Sequence, residues 1–341
     1  MPGLTSGFRS PKAQERKRDG ALECRVAKSL ELVDERTAPA VLVDLGVAPA
    51  DVPVEVRPLS GGISNVVLAA TWPGGCAVLK QSLPKLRVTA DWPFDRGRII
   101  NERRALELLG SLLPSGSVPE VLAHADEQFL FVMSHAPAGS RNWKEELLAG
   151  RVDRETAQRA GELLAAVHAD PGEEFDDQTP LVQGRVDPYH RTAAAANTDV
   201  AELVLAEVER LLATREALVL GDWSPKNLLV YPDRVMALDF EVVHRGDPAF
   251  DVAFLLTHLV MKSVHLPEHA ADLRGAADAF LGGYGTSLPE AHLTAELGCL
   301  LLARVDGKSP AEYLTEPERE TVRAMAKDIL RGRRSLEEAF E

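Results

Sequence analysis

The spacing of apolar residues along the chain changes at Pro137 and Gly139, and this change constrains the fold more than any other feature of the sequence. Before this point, apolar and β-forming residues occur in short runs that turn residues separate. After it, apolar residues recur mainly at helical spacing. A strand-rich segment followed by a helix-rich one predicts an α+β protein of two lobes with a cleft between them.

The strand-rich segment predicts an antiparallel sheet of five strands, with one helix after the third strand. The runs that predict these strands are 54–59, 65–72, 76–81, 121–125 and 129–134. The helix is expected over 96–110, with Gly110 as its C-cap.

The rest of the chain is predicted to be mainly helical. Helices are expected at 22–47, 154–169, 198–214 and 270–284, and a polar loop at 171–188. We therefore expect a flexible tail at 1–21, an N-terminal lobe at 22–136 and a helical C-terminal lobe at 137–341.

Charge and composition narrow the class of protein. The 38 Lys and Arg residues against 52 Asp and Glu give a net charge of −14, which argues against nucleic acid as a partner and is compatible with a cationic substrate. The longest apolar runs are shorter than the ~20 residues of a membrane span. The three cysteines, Cys24, Cys76 and Cys299, form no metal or disulfide pattern, which predicts a reducing, cytoplasmic location. The oligomeric state stays open.

Two motifs of the strand-rich segment suit phosphate binding. Gly61 and Gly62 lack Cβ atoms, so their N–H groups can approach a phosphate, and Ser64 can add a donor. Lys80 ends the third predicted strand, where it can reach the phosphates of a nucleotide if Glu102 holds it. The alternatives are an ordinary hairpin turn, and a solvated lysine with an exposed glutamate or Glu107 as its partner.

Two further motifs follow in the helix-rich segment. Asp222 and Asn227 stand five residues apart around a proline, a spacing at which the aspartate can accept the proton of an attacking hydroxyl and the asparagine can hold a metal. Asp239 ends the predicted strand 235–240, where a carboxylate can ligate Mg²⁺. Each acid alone is also explained as a turn or a cap, but the order of the motifs along the chain predicts a phosphotransferase.

These motifs make the sequence similar to the kinase-like small-molecule phosphotransferases, which include aminoglycoside phosphotransferases, choline kinases and methylthioribose kinases. That family's loop usually reads His-Gly-Asp, and Leu220 replaces the histidine here. Asp251 follows Asp239 by only 12 positions and no Ala-Pro-Glu occurs, so there is no room for a protein-kinase activation loop. This counts against a protein substrate.

Parts of the chain resemble methylthioribose kinase more closely. The segment 79–87, which begins Leu-Lys-Gln-Ser-Leu-Pro, and the loop that carries Trp92 resemble segments of that family. Residues 298–307 resemble its C-terminal helix, in which an arginine pair contacts the sugar. Here Ala303 and Arg304 stand in place of the pair, and Asn227 stands where that family tends to have serine, so the substrate stays open.

The resemblance implies a bilobal protein-kinase-like fold and transfer of the γ-phosphoryl of ATP, with Mg²⁺, to a hydroxyl of a small molecule. The residues it assigns to ATP are Gly61, Gly62, Ser64, Lys80, Glu102, Met133 and His135. Asp222 would be the catalytic base. Asn227 and Asp239, with Glu241 as a weaker candidate, would ligate the metal.

Polar residues of the helix-rich segment are the candidates for substrate contact. They are Trp143 with Lys144, Arg185 with Asp187 and Tyr189, and Arg304 with Asp306. A packed tryptophan, a solvated loop and a capped helix end explain the same residues without function. Three readings stay open: a kinase for a sugar or sugar-like alcohol, an antibiotic-inactivating phosphotransferase, and a nucleotide-binding pseudoenzyme. Acidic residues clustered at the cleft would favour the second.

Overall fold

The computed structural model describes residues 31–59, 64–87 and 92–340. The predicted tail and the two glycines Gly61 and Gly62 lie outside these ranges. A five-stranded antiparallel sheet has the strand order β1-β2-β3-β5-β4. Its strands are β1 (Glu55–Pro58), β2 (Asn65–Trp72), β3 (Gly75–Ser82), β4 (Val121–Ala125) and β5 (Leu130–Ser134). The predicted sheet is thereby confirmed.

A short helix covers one side of this sheet. Helix α1 (Ala38–Asp44) buries Ala38 and Leu42 against apolar side chains of β2, β3 and β5. Among the described residues of the predicted helical segment 22–47, only this part is an α-helix. Pro39 in its first turn suits a helix start, because proline lacks an N–H that the first turn leaves unpaired in any case.

Helix α2 (Arg98–Leu112) follows β3, as predicted, but it ends later than expected. The helix runs through Gly110, where an added Cβ would meet nothing within 4 Å, so the glycine is not its C-cap. Leu113 is extended (φ −96°, ψ 159°) because Pro114 disfavours helical backbone at the residue before it. The proline therefore ends the helix.

The remainder of the chain is mainly helical. Its α-helices are α3 (Trp143–Leu148), α4 (Arg154–His168), α5 (Thr179–Leu181), α6 (Thr192–Ala196), α7 (Ala201–Ala213), α8 (Ala249–His265), α9 (Ala270–Tyr284), α10 (Glu290–Asp306) and α11 (Glu316–Leu330). Helix α8 is buried along most of its length. The α+β, protein-kinase-like architecture that the sequence predicts is confirmed.

One segment differs from its prediction. Residues predicted to belong to a loop at 171–188 instead enter a π-helix, Val182–Arg191, that contains Pro188. Proline removes one backbone donor and displaces the regular i to i−4 hydrogen bonds, which favours this wider winding. The π-helix buries Arg185, Tyr189 and His190, so a polar composition concealed a buried element.

Short strands carry the loops in which the acidic motifs lie. They are β6 (Arg141–Asn142), β7 (Ala217–Val219), β8 (Leu228–Val230), β9 (Val235–Ala237) and β10 (His244–Gly246). Strand β8 pairs with β6 and β9, and β7 pairs with β10. In the part of the chain that is described, no single helix is long and apolar enough to cross a membrane; α8 and Pro267–Tyr284 reach that length and composition only as a pair bent by 120°.

Candidate active site

A buried lysine joins the sheet, helix α2 and the loop after β9. The Lys80 Nζ atom lies 2.6 Å from Glu102 Oε1 and 2.7 Å from Asp239 Oδ1. Burial disfavours the ammonium charge, but the Asp239 and Glu102 carboxylates outweigh it and raise the pKa of Lys80 above its ordinary value. The structure therefore brings together Lys80 and Glu102 as the sequence predicts, with a charged lysine between two acids.

Asp239 adopts an unusual backbone conformation. Its φ is +67°, one of two positive values among the described non-glycine residues. Aspartate tolerates this left-handed region better than most residues, and such strain is typical of functional positions. The Leu238 N–H donates to the Asn227 carbonyl at 2.9 Å, which fixes this turn beside the loop after β7.

The loop that carries Asp222 is anchored through its backbone. Gly221 has φ +74°, and an added Cβ would lie 2.7 Å from Val242 Cγ1, so the position needs glycine. The N–H groups of Leu220 and Gly221 donate to the Asp251 carboxylate at 2.7 and 2.8 Å. Because the main chain makes these bonds, residue 220 does not need a polar side chain to hold the loop.

The Asp222 carboxylate has three polar partners. Arg185 Nη2 and Lys226 Nζ lie 3.0 and 2.9 Å from Oδ2, and the Ser224 hydroxyl donates to Oδ1 at 3.1 Å. Burial raises the pKa of Asp222, but the charges of Lys226 and Arg185 outweigh burial and hold it well below its usual range. The residue is therefore an anion at the mouth of the cleft, ready to accept a hydrogen bond.

A cavity of about 450 Å³ lies beside these groups, which is within the range of small-molecule sites. Apolar side chains such as Val78, Leu106, Met133, Leu229 and Leu238 form much of its wall. Lys80, Glu102, Asn227 and Asp239 are at its polar end. The chain segment after β5, which includes His135, also borders it, so Met133 and His135 lie on the cavity as predicted.

The model of the phosphotransferase enzyme family matches residues 55–294 of this chain. The chain belongs to this family. The match includes the five-stranded sheet, the Asp222 loop and the Asp239 turn, so the membership that the motifs predicted is confirmed.

The chain is also similar to proteins named methylthioribose kinases. Methylthioribose kinase 2 of Oryza sativa subsp. japonica is 24% identical over 249 residues, which are 63% of this chain and 58% of that protein. The chain thus spans less than two thirds of the length of that relative.

Two solved structures share the fold. A choline/ethanolamine kinase family protein from Mesorhizobium loti (18% identity, TM-score 0.52) matches over 89% of this chain and 99% of its own. An amicoumacin kinase in complex with AMP-PNP and Ca²⁺ (16% identity, TM-score 0.54) matches over 92% of this chain and 96% of its own.

The phosphotransferase family implies a divalent metal, and the donors present suit Mg²⁺. No group of three or more His, Cys, Asp or Glu residues that could hold a metal occurs within 31–59, 64–87 and 92–340. Mg²⁺, however, usually takes one or two protein oxygens and completes its shell with water and phosphate. The Asn227 Nδ2 donates to the Asp222 carbonyl at 3.1 Å, which leaves its Oδ1 for a cation beside the Asp239 carboxylate.

Glu241 accepts hydrogen bonds from other side chains of the protein. Its Oε1 accepts from the Ser64 hydroxyl at 2.9 Å, and its Oε2 accepts from Asn65 Nδ2 at 3.0 Å and from Arg98 Nε at 3.2 Å. Both oxygens are therefore engaged, and the carboxylate joins the start of β2 to helix α2. The role of Glu241 as a weaker candidate for a metal ligand stays a prediction, and the predicted phosphate donor Ser64 is bonded to this carboxylate.

The predicted substrate residues divide into two groups. Trp143 is only 1% exposed in the core, so its predicted contact with a substrate is wrong in this structure. Asp187 is exposed and pairs with Arg191 at 2.5 Å on the outside of the π-helix, away from Asp222. By contrast, Arg185 reaches Asp222, and the Tyr189 hydroxyl lies 3.3 Å from Arg304 Nη1.

Sequence reasoning missed several partners of the Asp222 loop. Lys226 and Ser224 stand inside the motif itself, and the four-residue spacing from Asp222 to Lys226 was a usable signal. Asp251 was used in the prediction only for its distance from Asp239, and its bonds to the Leu220 and Gly221 amides required the fold.

Proposed function

We propose that this protein is a small-molecule kinase that transfers the γ-phosphoryl group of ATP to a hydroxyl group of a sugar-like alcohol. One observation carries the proposal: an ionised, buried Asp222 stands beside a cavity whose polar end presents Lys80, Asn227 and Asp239. Phosphoryl transfer needs positioning and charge neutralisation more than covalent help from the protein, and these are the groups that supply both.

Each residue has a distinct part in the proposed reaction. Lys80 binds the α- and β-phosphates, and the segment 133–136 contacts the adenine. Asn227 and Asp239 hold Mg²⁺, which neutralises charge on the phosphate oxygens when bound. Asp222 accepts the hydrogen bond of the acceptor hydroxyl and takes its proton as the new oxygen–phosphorus bond forms and the β–γ bridging bond breaks. ADP and the phosphorylated alcohol are the products.

The sugar-like acceptor is supported by similarity to methylthioribose kinases, among them the rice protein at 24% identity. The alternative acceptor, a cationic aminoglycoside, gains no support from the charges near Asp222, because the charged side chains that contact Asp222 and Tyr189 are basic. A pseudoenzyme would not need the full set of Lys80, Asp222, Asn227 and Asp239. A cytoplasmic location stays a prediction from the cysteine pattern.

The substitution Asp222→Asn tests this function. We expect wild type to release ADP from Mg-ATP in response to members of a panel of sugars, nucleoside-derived alcohols and aminoglycosides. Because a general base contributes about 10²–10⁴-fold, the variant should lose turnover by that factor while its affinity for Mg-ATP, measured by calorimetry, changes little. Near wild-type turnover in the variant would exclude Asp222 as the base.

A further inference from the structure

A cluster of basic residues lies on the acceptor side of Asp222, in a protein whose net charge is −14. We call it the basic cluster and define it as Lys144, Arg185, Lys226, Lys262 and Arg304. Arg185 and Lys226 contact Asp222 directly. The others lie on α3, α8 and α10, where Lys262 and Arg304 are buried and Lys144 is partly exposed.

Aromatic rings connect the two parts of the cluster. The Arg185 guanidinium lies 5.2 Å from the Tyr189 ring centroid and 5.4 Å from that of Phe254. Arg304 bonds to the Tyr189 hydroxyl from the other side at 3.3 Å. A continuous path of contacts therefore leads from the Asp222 carboxylate to Arg304.

Three cations of the cluster meet the segment 309–313. Lys144 pairs with Glu312, Arg304 donates to the Ser309 carbonyl and hydroxyl, and the Lys262 ammonium lies 5.3 Å from the Tyr313 ring centroid. The three positive charges are therefore close together, and Glu312 pairs with only one of them, Lys144.

Charge in this region is poorly balanced. Within the described parts of the chain, Lys262 and Arg304 contact no carboxylate: Lys262 is fully buried and donates only to the His258 carbonyl at 3.3 Å, and Arg304 bonds to Tyr189 and Ser309. A buried charge without an opposite partner is costly, and an anionic ligand that pairs with it would offset this cost.

The ionisation of neighbouring groups reflects this positive field. Burial raises the pKa of Tyr189, yet the Arg304 and Arg185 charges outweigh burial and lower it. Burial, together with the charges of Lys144 and Arg304, lowers the pKa of Lys262 to about 7. The shift of Tyr189 is the one expected where positive charge exceeds negative charge, whereas burial is the main cause of the shift of Lys262.

We propose that the acceptor carries an anionic group, a carboxylate or a phosphate, in addition to the hydroxyl that is phosphorylated, and that Lys262, Arg304 and Lys144 bind this group. The inference rests on the proposed function and specifies its substrate class. The anion binds to the part of the basic cluster formed by Lys262, Arg304 and Lys144, and the hydroxyl points back to Asp222, which receives its proton. The proposed acceptor is therefore a sugar acid or a sugar phosphate.

The test uses matched acceptors that differ in charge. Aldoses of four to six carbons, the corresponding aldonates and the aldose phosphates are assayed for ADP release with Mg-ATP, with kanamycin as the cationic member. We expect kcat/KM for an anionic member to exceed that of its neutral counterpart at least tenfold. The aldonate and phosphate arms distinguish the two kinds of anion. A preference for a neutral sugar or for kanamycin would overturn the proposal.

Two variants test the residues. Lys262→Met should remove most of the preference for the anionic acceptor, and Lys144→Met, at a partly exposed position, should reduce it. Lys327→Met is the control, because it removes a lysine that pairs with Asp199 outside the cluster. Circular dichroism verifies that each variant is folded. An undiminished anion preference in both cluster variants would contradict the assignment.

Calorimetry separates this inference from the proposed reaction. Wild type saturated with Mg-AMP-PNP is titrated with the same aldonates, aldose phosphates and aldoses, so that the nucleotide site is already filled. If no acceptor is phosphorylated but anions bind and Lys262→Met abolishes binding, the anion site stands and the proposed reaction fails. If anions bind no better than neutral sugars, the anion site is refuted whatever the turnover.

Discussion

At the scale of single residues, Asp222 shows how opposing effects set the state of one carboxylate. Burial favours its neutral form, and the neighbouring Lys226 and Arg185 favour its charged form and prevail. The folded-state pKa is therefore depressed, so the carboxylate contributes stability above its unfolded pKa and loses this contribution as the pH falls. It also stays ionised throughout the range in which the enzyme would work.

Removal of one cation should change the pH profile of the reaction. In Arg185→Met, one of the two positive charges that lower the pKa of Asp222 is lost, so this pKa rises. The acid limb of the kcat/KM profile therefore moves to higher pH, and kcat/KM falls about tenfold for each pH unit below the new pKa. The measurement is the pH profile of kcat/KM between pH 5 and 8. Arg191→Met, which removes an exposed arginine paired with Asp187, is the matched control. An unchanged profile in Arg185→Met would contradict this account.

Lys262 changes stability with pH in the same direction as Asp222, but in a more alkaline range. Its pKa is about 7 in the folded protein, against 10.5 for an unperturbed lysine, so between these limits the unfolded chain binds more protons and the stability of wild type rises with pH. Lys262→Met removes the buried charge. We expect the variant to gain stability over wild type below pH 7, on the order of a few kcal/mol, and to lose this gain towards pH 10.

Denaturant unfolding of both proteins at pH 6, 8 and 10 measures this difference, with Lys327→Met as the control. If the difference in unfolding free energy between Lys262→Met and wild type does not change with pH, then the pKa of Lys262 is not lowered in the folded protein. A lysine that costs stability at neutral pH is consistent with a role in binding.

At the scale of elements, close helix packing depends on individual glycines. Helices α4 and α9 approach so closely that a Cβ at Gly283 would lie 2.2 Å from the Gln158 carbonyl oxygen. The adjacent Gly282 on the same helix is exposed, and a Cβ there would meet nothing within 4 Å. Gly283 is therefore needed for the close approach of the two helices, whereas Gly282 is not.

These glycines form a matched pair for mutation. Gly283→Ala should destabilise the protein by about 1–3 kcal/mol, because the helices must separate or shift. Gly282→Ala should be neutral or stabilising by up to ~1 kcal/mol, since alanine favours the helix. Urea unfolding of both variants measures the effect. Equal stabilities would contradict the packing argument.

The sequence predicted elements best where periodicity and composition agreed. Strand β2 was predicted with its observed bounds, because β-forming residues fill it and Pro73 follows it. The π-helix was predicted to be a loop because its buried polar residues have partners far away in the sequence, Arg185 at Asp222 and His190 at Glu296, which no local pattern records. The prediction that Trp143 contacts a substrate went wrong for a related reason: its neighbours in the sequence are polar, and they gave no sign that the tryptophan is in the core.

At the scale of the whole molecule, the candidate site combines parts of the chain that lie far apart in sequence. Lys80 and Glu102 could be paired in advance because they follow a known order of motifs. The hydrogen bonds that Glu241 accepts from Ser64, Asn65 and Arg98 could not be predicted, since they depend on how helix α2 and the loop after β9 meet. The basic cluster could not be predicted either, because three of its residues come from three different helices. The one visible signal was the lysine at the end of the apolar run in α8.

The basic cluster has a consequence for how an acceptor reaches the enzyme. At distances beyond the Debye length of roughly 8–10 Å, screening by salt weakens the repulsion between a protein of charge −14 and an anion. Within the cleft, the same anion meets local positive charge that salt screens less. Ionic strength therefore acts in opposite directions on the two stages of binding: it speeds the encounter of an anionic acceptor with the protein, and it shortens the time that the acceptor stays bound.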